Sequence, residues 1–182
     1  MPRVDAPTAF RQQLLGTIPR LRRYARSLVF DASAADDLVQ TTLERALAHW
    51  HQFDQRRDIR VWLLSIAHNA HLDRLRRERR FTLVEPDQLD DLAQAGPDVG
   101  EQAGLRMDLL AALARLSREH REVLLLVGVE QLSYAECAEV LGIPIGTVMS
   151  RLSRARVAMR AALDGSPRPQ PDNQSRGLRR VV

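Results

Sequence analysis

Arginine is concentrated where a helix could hold a polyanion. Between residues 147 and 160 the chain carries four Arg and no acid. Guanidinium is charged at every physiological pH and forks onto phosphate oxygens or the acceptor edge of guanine. At about 100° per residue, Val148, Leu152, Ala155 and Met159 form one apolar stripe. Met149, Ser150, Ser153 and Arg154 fall opposite it, with Thr147 at the start and Arg151 and Arg156 flanking. That face is small, polar and cationic, as contact with nucleic acid requires. A second basic run, residues 74–80, holds five Arg and one Glu. A solvated helix end is the plain alternative, since cations suit a C-terminal dipole. A run this basic more often faces a polyanion.

Other candidate chemistry is thin. His49 and His51 lie close in sequence, and His68 and His71 are spaced i, i+3 on one helix. Two imidazoles on a face can begin a metal site, but no third ligand has motif spacing. No catalytic residue, metal or cofactor is expected, so the chain reads as a binding protein and not an enzyme. The single Cys137 excludes an internal disulfide. It is read as buried packing, with a redox thiol as the alternative.

The elements that must position these residues follow from local signals. Ser133 and Glu136 make a capping box, Gly142 can stop the helix they open, and Pro144 can start the next. Two short helices around a Gly-Ile-Pro turn are a helix-turn-helix. Upstream, Leu105, Leu109, Ala112, Leu113 and Leu116 mark a helix, and Ser117 caps another running through Val123 and Val127. In the first half, a helix spans about Phe10–Phe30, and Pro19 should kink or split it. Ser33 and Asp36 offer a capping box for a helix reaching about Trp50. Leu38, Thr42, Ala46 and Trp50 share its inner stripe, and Asp36, Asp37, Gln40 and Glu44 its outer side. The segment His51–Asp58 (HQFDQRRD) reads as a polar loop. A long helix then runs from about Ile59 to Arg80, and its first half is apolar nearly all round.

Residues 81–103 carry Glu85, Asp87, Asp90, Asp91, Asp98 and Glu101 with no base among them, and two Pro and two Gly. They read as a flexible acidic linker, which extended would span roughly 70 Å. The expected organisation is all-α: one helical domain over 1–80, the linker over 81–103, a second over 104–164, and a disordered tail over 165–182. The two domains are expected to be separate.

Bulk properties agree. The chain has 182 residues, a formal charge of +4, and 27 basic residues that are all Arg. A basic balance favours nucleic acid or an acidic partner. Hydrophobic residues, at 45%, suffice for a core. No signal peptide and no apolar run near ~18 residues is evident, so a cytoplasmic protein without membrane insertion is expected.

Taken together, residues 10–164 resemble the extracytoplasmic-function sigma factors of bacterial RNA polymerase. Asp36-Asp37-Leu38-Val39-Gln40 looks like the polymerase-contacting helix. Trp62-Leu63-Leu64-Ser65-Ile66-Ala67-His68-Asn69, with Asp73 and Arg76-Arg77, looks like the helix that opens promoter DNA. Leu132-Ser133-Tyr134-Ala135-Glu136 and Gly142-Ile143-Pro144-Ile145-Gly146-Thr147-Val148, with Ser150-Arg151, look like the upstream-element reader. Met149 departs from the pattern, standing where a basic residue is common.

The resemblance implies a division of labour. Asp36, Asp37, Gln40 and Glu44 would bind core polymerase, through its largest and second-largest subunits. His51, Gln52, Phe53, Asp54, Gln55, Arg56, Arg57, Asp58 and Asn69 would read the minus-10 element, one base of which is flipped from the duplex. Arg74, Arg76 and Arg77 would hold its backbone. Thr147, Met149, Ser150, Arg151, Ser153, Arg154 and Arg156 would meet the minus-35 element. Trp62, set among apolar residues, is read as core packing and not as a stacking platform. An anti-sigma factor and a role in stress response are implied as well. A conventional repressor would need a ligand pocket or dimerisation helix, and a polar loop feeding a basic helix stands in that place. A mimic that only sequesters an anti-sigma protein would not need the Arg-bearing helix.

Overall fold

The computed structural model of the chain describes residues 6–81 and 101–165. The acidic stretch 82–100 and the tail from 166 lie outside the described residues, and so does the linker reading apart from its ends. Phe81 closes a helix and residues 101–103 open one. Among the described residues every regular element is helical.

The first half is built from α1 (Thr8–Val29), α2 (Ala32–Ala48), a 3-10 turn at Trp50–Gln52 and α3 (Ile59–Phe81). Helix α1 runs through Pro19 unsplit. The lost amide bond falls opposite the carbonyl of Leu15, a residue open to solvent, so water can serve that carbonyl. The capping box expected at Ser33 is not the start of α2. Asp31 caps it instead, accepting from the Ala34 amide at 2.6 Å. Phe30, at φ 57°, turns the chain sharply at the end of α1 and brings Asp31 into the capping position.

Phe10, Leu14, Ala46, Phe53 and Leu63 make one buried cluster among the three helices. Asp58 starts α3: its carboxylate accepts the Arg60 amide at 2.8 Å and the Arg60 guanidinium at 2.8 and 2.5 Å.

The second half comprises α4 (Glu101–Ala114), α5 (Arg118–Leu124), a π turn at Leu125–Val129, α6 (Tyr134–Leu141) and α7 (Ile145–Leu163). Ser117 caps α5, and Ser133 with Glu136 forms the full capping box of α6. Gly142 takes the left-handed conformation, φ 62°, that ends α6. Val148, Leu152 and Ala155 are buried, which fixes the rotation of α7 as the stripe requires.

The two domains do not stand apart. One buried core runs through both, from Tyr24, Leu28, Val61 and Leu64 to Val123, Leu126, Cys137 and Leu152. Helix α6 packs on α3, and the π turn on α1. Separate periodicities cannot reveal this, because each helix's buried stripe looks alike whichever domain covers it.

Candidate promoter-reading surfaces

Helix α2 turns Asp36, Asp37, Gln40 and Glu44 outward, and all four are exposed. The Gln40 amide donates to the Glu44 carboxylate at 3.0 Å. Asp36 meets Arg22 of α1 at 3.1 Å. This acidic face lies on the solvent side of the first half.

The loop after α2 is braced from within. The Asp54 carboxylate accepts the Arg56 amide at 3.0 Å, and its carbonyl accepts the Arg57 amide at 2.9 Å. Arg60 hydrogen-bonds the Asp58 carboxyl and holds it below the usual carboxylate range. These two acids thus shape the loop. Phe53 is turned inward, with its ring 5.2 Å from Trp62 and 5.9 Å from Phe10. His51, Gln52, Gln55, Arg56 and Arg57 are exposed. The Arg57 guanidinium is ion-paired with Glu139 of α6.

Beside the loop lies a cleft of about 230 Å³, lined by Arg45, His49, Gln52, Trp62, Ile66 and Asn69. Sequence reasoning singled out Gln52 and Asn69. It missed Arg45, and it named His49 only beside His51 as a possible start of a metal site; His49 follows Arg45 by four residues and caps the end of α2. Arg45 donates to Asp73 of α3 at 2.9 Å, and the His49 ring nitrogen Nδ1 lies 2.9 Å from the Arg45 carbonyl oxygen. Trp62 serves two roles: it packs on Phe53 and Phe10 and also walls the cleft.

The basic end of α3 is partly self-paired. Arg74 meets Glu78 at 2.6 Å, Arg76 meets Asp73 at 3.7 Å, and Arg77 donates to the Asp73 carbonyl at 3.3 Å. On α7, Met149, Ser153, Arg154 and Arg156 are exposed. Ser150 donates to the Thr147 carbonyl at 3.0 Å. Arg151 is half-buried and pairs with Glu119 of α5 at 3.1 Å. Glu139 of α6 is engaged by Arg57 of the loop, so that pair leaves Arg154 facing outward.

His68 and His71, candidates for metal by spacing, face inward and are buried. Burial, reinforced by Arg118, pushes the His68 pKa down to about 4, and burial with Arg74 and Arg118 does the same to His71. Among the described residues no three His, Cys, Asp or Glu side chains gather as a metal site would need. Cys137 is fully buried, and burial pushes its thiol up to about 11. A thiol so protected is a poor nucleophile. No described helix is long and apolar enough to cross a membrane.

A helical platform with an outward acidic helix, a braced loop beside a cleft, and a helix-turn-helix with a cationic outer face define a DNA-reading protein of two all-α domains. Family models match both parts: the Sigma2 domain of PhyR over residues 14–68, and Sigma-70, region 4 over residues 106–159. The chain is 35% identical to the ECF RNA polymerase sigma factor EcfG of Rhodopseudomonas palustris, over 98% of this chain and 97% of that one. It is 42% identical to the ECF sigma factor SigL of Mycobacterium tuberculosis, over 79% and 82%. Among solved structures, the sigma factor RpoE of Bartonella quintana, in complex with the anti-sigma factor NepR, superposes with a TM-score of 0.72 at 31% identity, over 87% of this chain and 98% of that one. CnrH, in complex with the cytosolic domain of CnrY, does so at 0.62 and 29%, over 87% and 90%. The chain belongs to the extracytoplasmic-function sigma factors of RNA polymerase.

Proposed function

We propose that this sigma factor reads its promoter in two different ways with its two domains. The outward face of α2, with Asp36, Asp37, Gln40 and Glu44, docks on core polymerase. The His51–Asp58 loop and Asn69 take one unstacked base of the minus-10 element, and Arg74, Arg76 and Arg77 hold the adjoining backbone. The outer face of α7 reads the minus-35 element as duplex. The chain acts in the cytoplasm, beside polymerase and DNA, and has no catalytic activity of its own.

The observation that carries this reading is the cleft of about 230 Å³ between α2 and α3. It joins an aromatic wall, Trp62, to polar groups of Gln52, Asn69 and His49. Such a combination suits a single base, which stacks through its face and hydrogen-bonds through its edge. A protein reading duplex alone needs no such cleft in its other domain. An anti-sigma protein is the expected regulator, because the structurally similar RpoE of Bartonella quintana is in complex with one.

The test is transcription in vitro with core polymerase and a promoter library randomised in both elements. We expect transcripts from templates sharing a minus-10 and a minus-35 sequence. Asn69→Ala should relax the preference at one minus-10 position and leave the minus-35 preference intact. No promoter-dependent transcript, or an unchanged minus-10 preference, would overturn the reading.

A further inference from the structure

The outward side of α7 has two flanks of different chemistry. The helix turns about 100° and rises about 1.5 Å per residue, which places Ile145 and Met149 together on one flank. Arg154 falls on the other, about 140° round from Met149 and roughly 7.5 Å further along the axis. Ile145 is 44% exposed and Met149 50%. Among the large apolar side chains exposed on the described residues, these two alone form a pair at i, i+4. A single exposed apolar side chain is ordinary, while neighbours on a helix present one contiguous apolar surface.

The fold does not use this pair. Val148, Leu152 and Ala155 are the buried residues of α7. Among the described residues, neither Ile145 nor Met149 joins a buried cluster or packs against one. Between the flanks run Gly146, Ser150 and Ser153, all small. A Cβ at Gly146 would meet nothing within 4 Å, so packing within the chain does not call for glycine there. Glycine weakens a helix, and its use is to let another molecule come close to the backbone.

The charge of the helix decides what that molecule is. Residues 147–160 carry four Arg and no acid, and Arg154 and Arg156 are exposed. Arg156 follows Met149 by seven residues and lies within about 20° of it around the axis. An apolar protein groove would have to cover these cations, whereas DNA neutralises them. Among the base edges of the major groove one group is distinctly apolar, the C5-methyl of thymine. Adenine and guanine present donors and acceptors there, which an aliphatic side chain or a thioether would leave unpaired.

We propose that Ile145 and Met149 form a methyl reader, which selects a pyrimidine bearing a 5-methyl group at a minus-35 base pair other than the one Arg154 meets. This rests on the reading of α7 as the minus-35 helix and names a chemical group that the helix takes there. Met149 makes the adaptable part of the contact, because its unbranched thioether follows a methyl at variable depth. Ile145, β-branched and stiff, backs it. The pair recognises the methyl and not the hydrogen-bonding edge, so 5-methylcytosine is accepted where cytosine is not.

The experiment measures holoenzyme binding to a promoter selected from the library randomised in the minus-35 element. Each thymine of that element, on either strand, is replaced in turn by uracil, which removes the methyl and keeps the pairing. One replacement should weaken binding about fourfold, the value of one buried methyl-sized group. At that place a guanine–5-methylcytosine pair, with its methyl on the same strand, should bind about fourfold better than a guanine–cytosine pair. Met149→Ala should bind the thymine and uracil promoters alike, and Met149→Leu should keep the difference. Both variants should capture core polymerase as the wild type does when DNA is absent. An element without thymine, uracil tolerated at every position, or a uracil penalty undiminished in Met149→Ala would overturn the proposal. So would loss of polymerase capture in Met149→Ala, which would make the pair a protein contact. Failure of the α7 reading looks different: every minus-35 preference would survive both Arg154→Ala and Met149→Ala, and both ideas would fall. A position relaxed by Arg154→Ala with no uracil penalty anywhere would overturn the methyl reader alone.

Discussion

The Arg45 guanidinium donates to the Asp73 carboxylate at 2.9 Å, tying α2 to α3 at the rim of the cleft. Both side chains are more than a third exposed, so the pair adds little stability, at most about 1 kcal/mol. Its effect is to fix the wall formed by Arg45. Asp73→Ala should leave thermal unfolding within a few degrees of wild type. It should nonetheless slow promoter opening, followed by fluorescence of a base analogue in the minus-10 element. Equal losses in unfolding temperature and opening rate would make the pair merely structural.

The second prediction concerns the outward face of α2. Asp37 and Gln40 are exposed and lie i, i+3, and neither supports the buried stripe of Leu38, Thr42 and Ala46. Asp37→Arg with Gln40→Ala should therefore weaken capture of core polymerase tenfold or more, about 1.4 kcal/mol, and keep the helical content. Retention of full capture would move the polymerase contact elsewhere.

The third follows from the buried contact between the two domains. His68 Nδ1 lies 3.8 Å from Glu122 Oε1, within ion-pair range but too far for a hydrogen bond. Burial disfavours both charges and holds the pair neutral. His68 and His71 are lowered to about 4 from 6.5, and Glu122 is raised to about 7 from 4.5. Arg118, Arg121 and Glu119 of α5, Arg74 of α3 and Arg151 of α7 are the charges facing this cluster.

Below pH 6.5 the unfolded chain gains protons on two imidazoles that the fold refuses, so each histidine costs stability as pH falls toward 4. Glu122 acts oppositely: the fold keeps its proton up to about 7, so its contribution is lost as pH rises from 4.5. Within this cluster two groups oppose one, leaving a net loss near one proton between pH 6.5 and 4.5; outside it the raised Glu130 and the lowered His120 act in opposite directions. The net loss is about 1.4 kcal/mol per pH unit. In urea titrations the wild type should lose stability at that slope, and His71→Leu should be nearly flat. Parallel slopes in the two proteins would mean that His71 is charged in the fold.

What was legible in the sequence was what local chemistry decides. The capping box of Ser133 and Glu136, the stop at Gly142 and the rotation of α7 are each set within a few residues, and all appear. What depended on distant partners was not legible. Phe53 lies in a polar octapeptide, yet it is buried because Phe10 and Trp62 meet it from α1 and α3. Asp31 was overlooked as a cap because a left-handed Phe30 is uncommon for an aromatic residue. The contact between the two domains was not legible because the first half of α3 is apolar nearly all round, which says that it is covered and not by what. A signal was present in the acids Glu122 and Glu130 bounding the apolar run 123–129, since buried carboxylates mark a site that the fold alone does not require.

The sharpest prediction concerns Arg154. Val148, Leu152 and Ala155 are buried, so the opposite face of α7 points to solvent with Arg154 and Ser153 exposed. Arg151, beside them, is half-buried and held by Glu119 at 3.1 Å. The two arginines should then differ in what they do. A guanidinium on the outer face can fork onto O6 and N7 of a guanine in the major groove. One braced against α5 at the edge is placed to meet phosphate, which carries no sequence information. Arg154→Ala should cost about 1 to 3 kcal/mol on the preferred promoter and relax one minus-35 position. Arg151→Ala should weaken all sequences evenly. Holoenzyme binding to a library randomised in the minus-35 element separates these outcomes. If every upstream preference survives in Arg154→Ala, then Arg154 does not read a base, and the face of α7 that enters the groove is a different one.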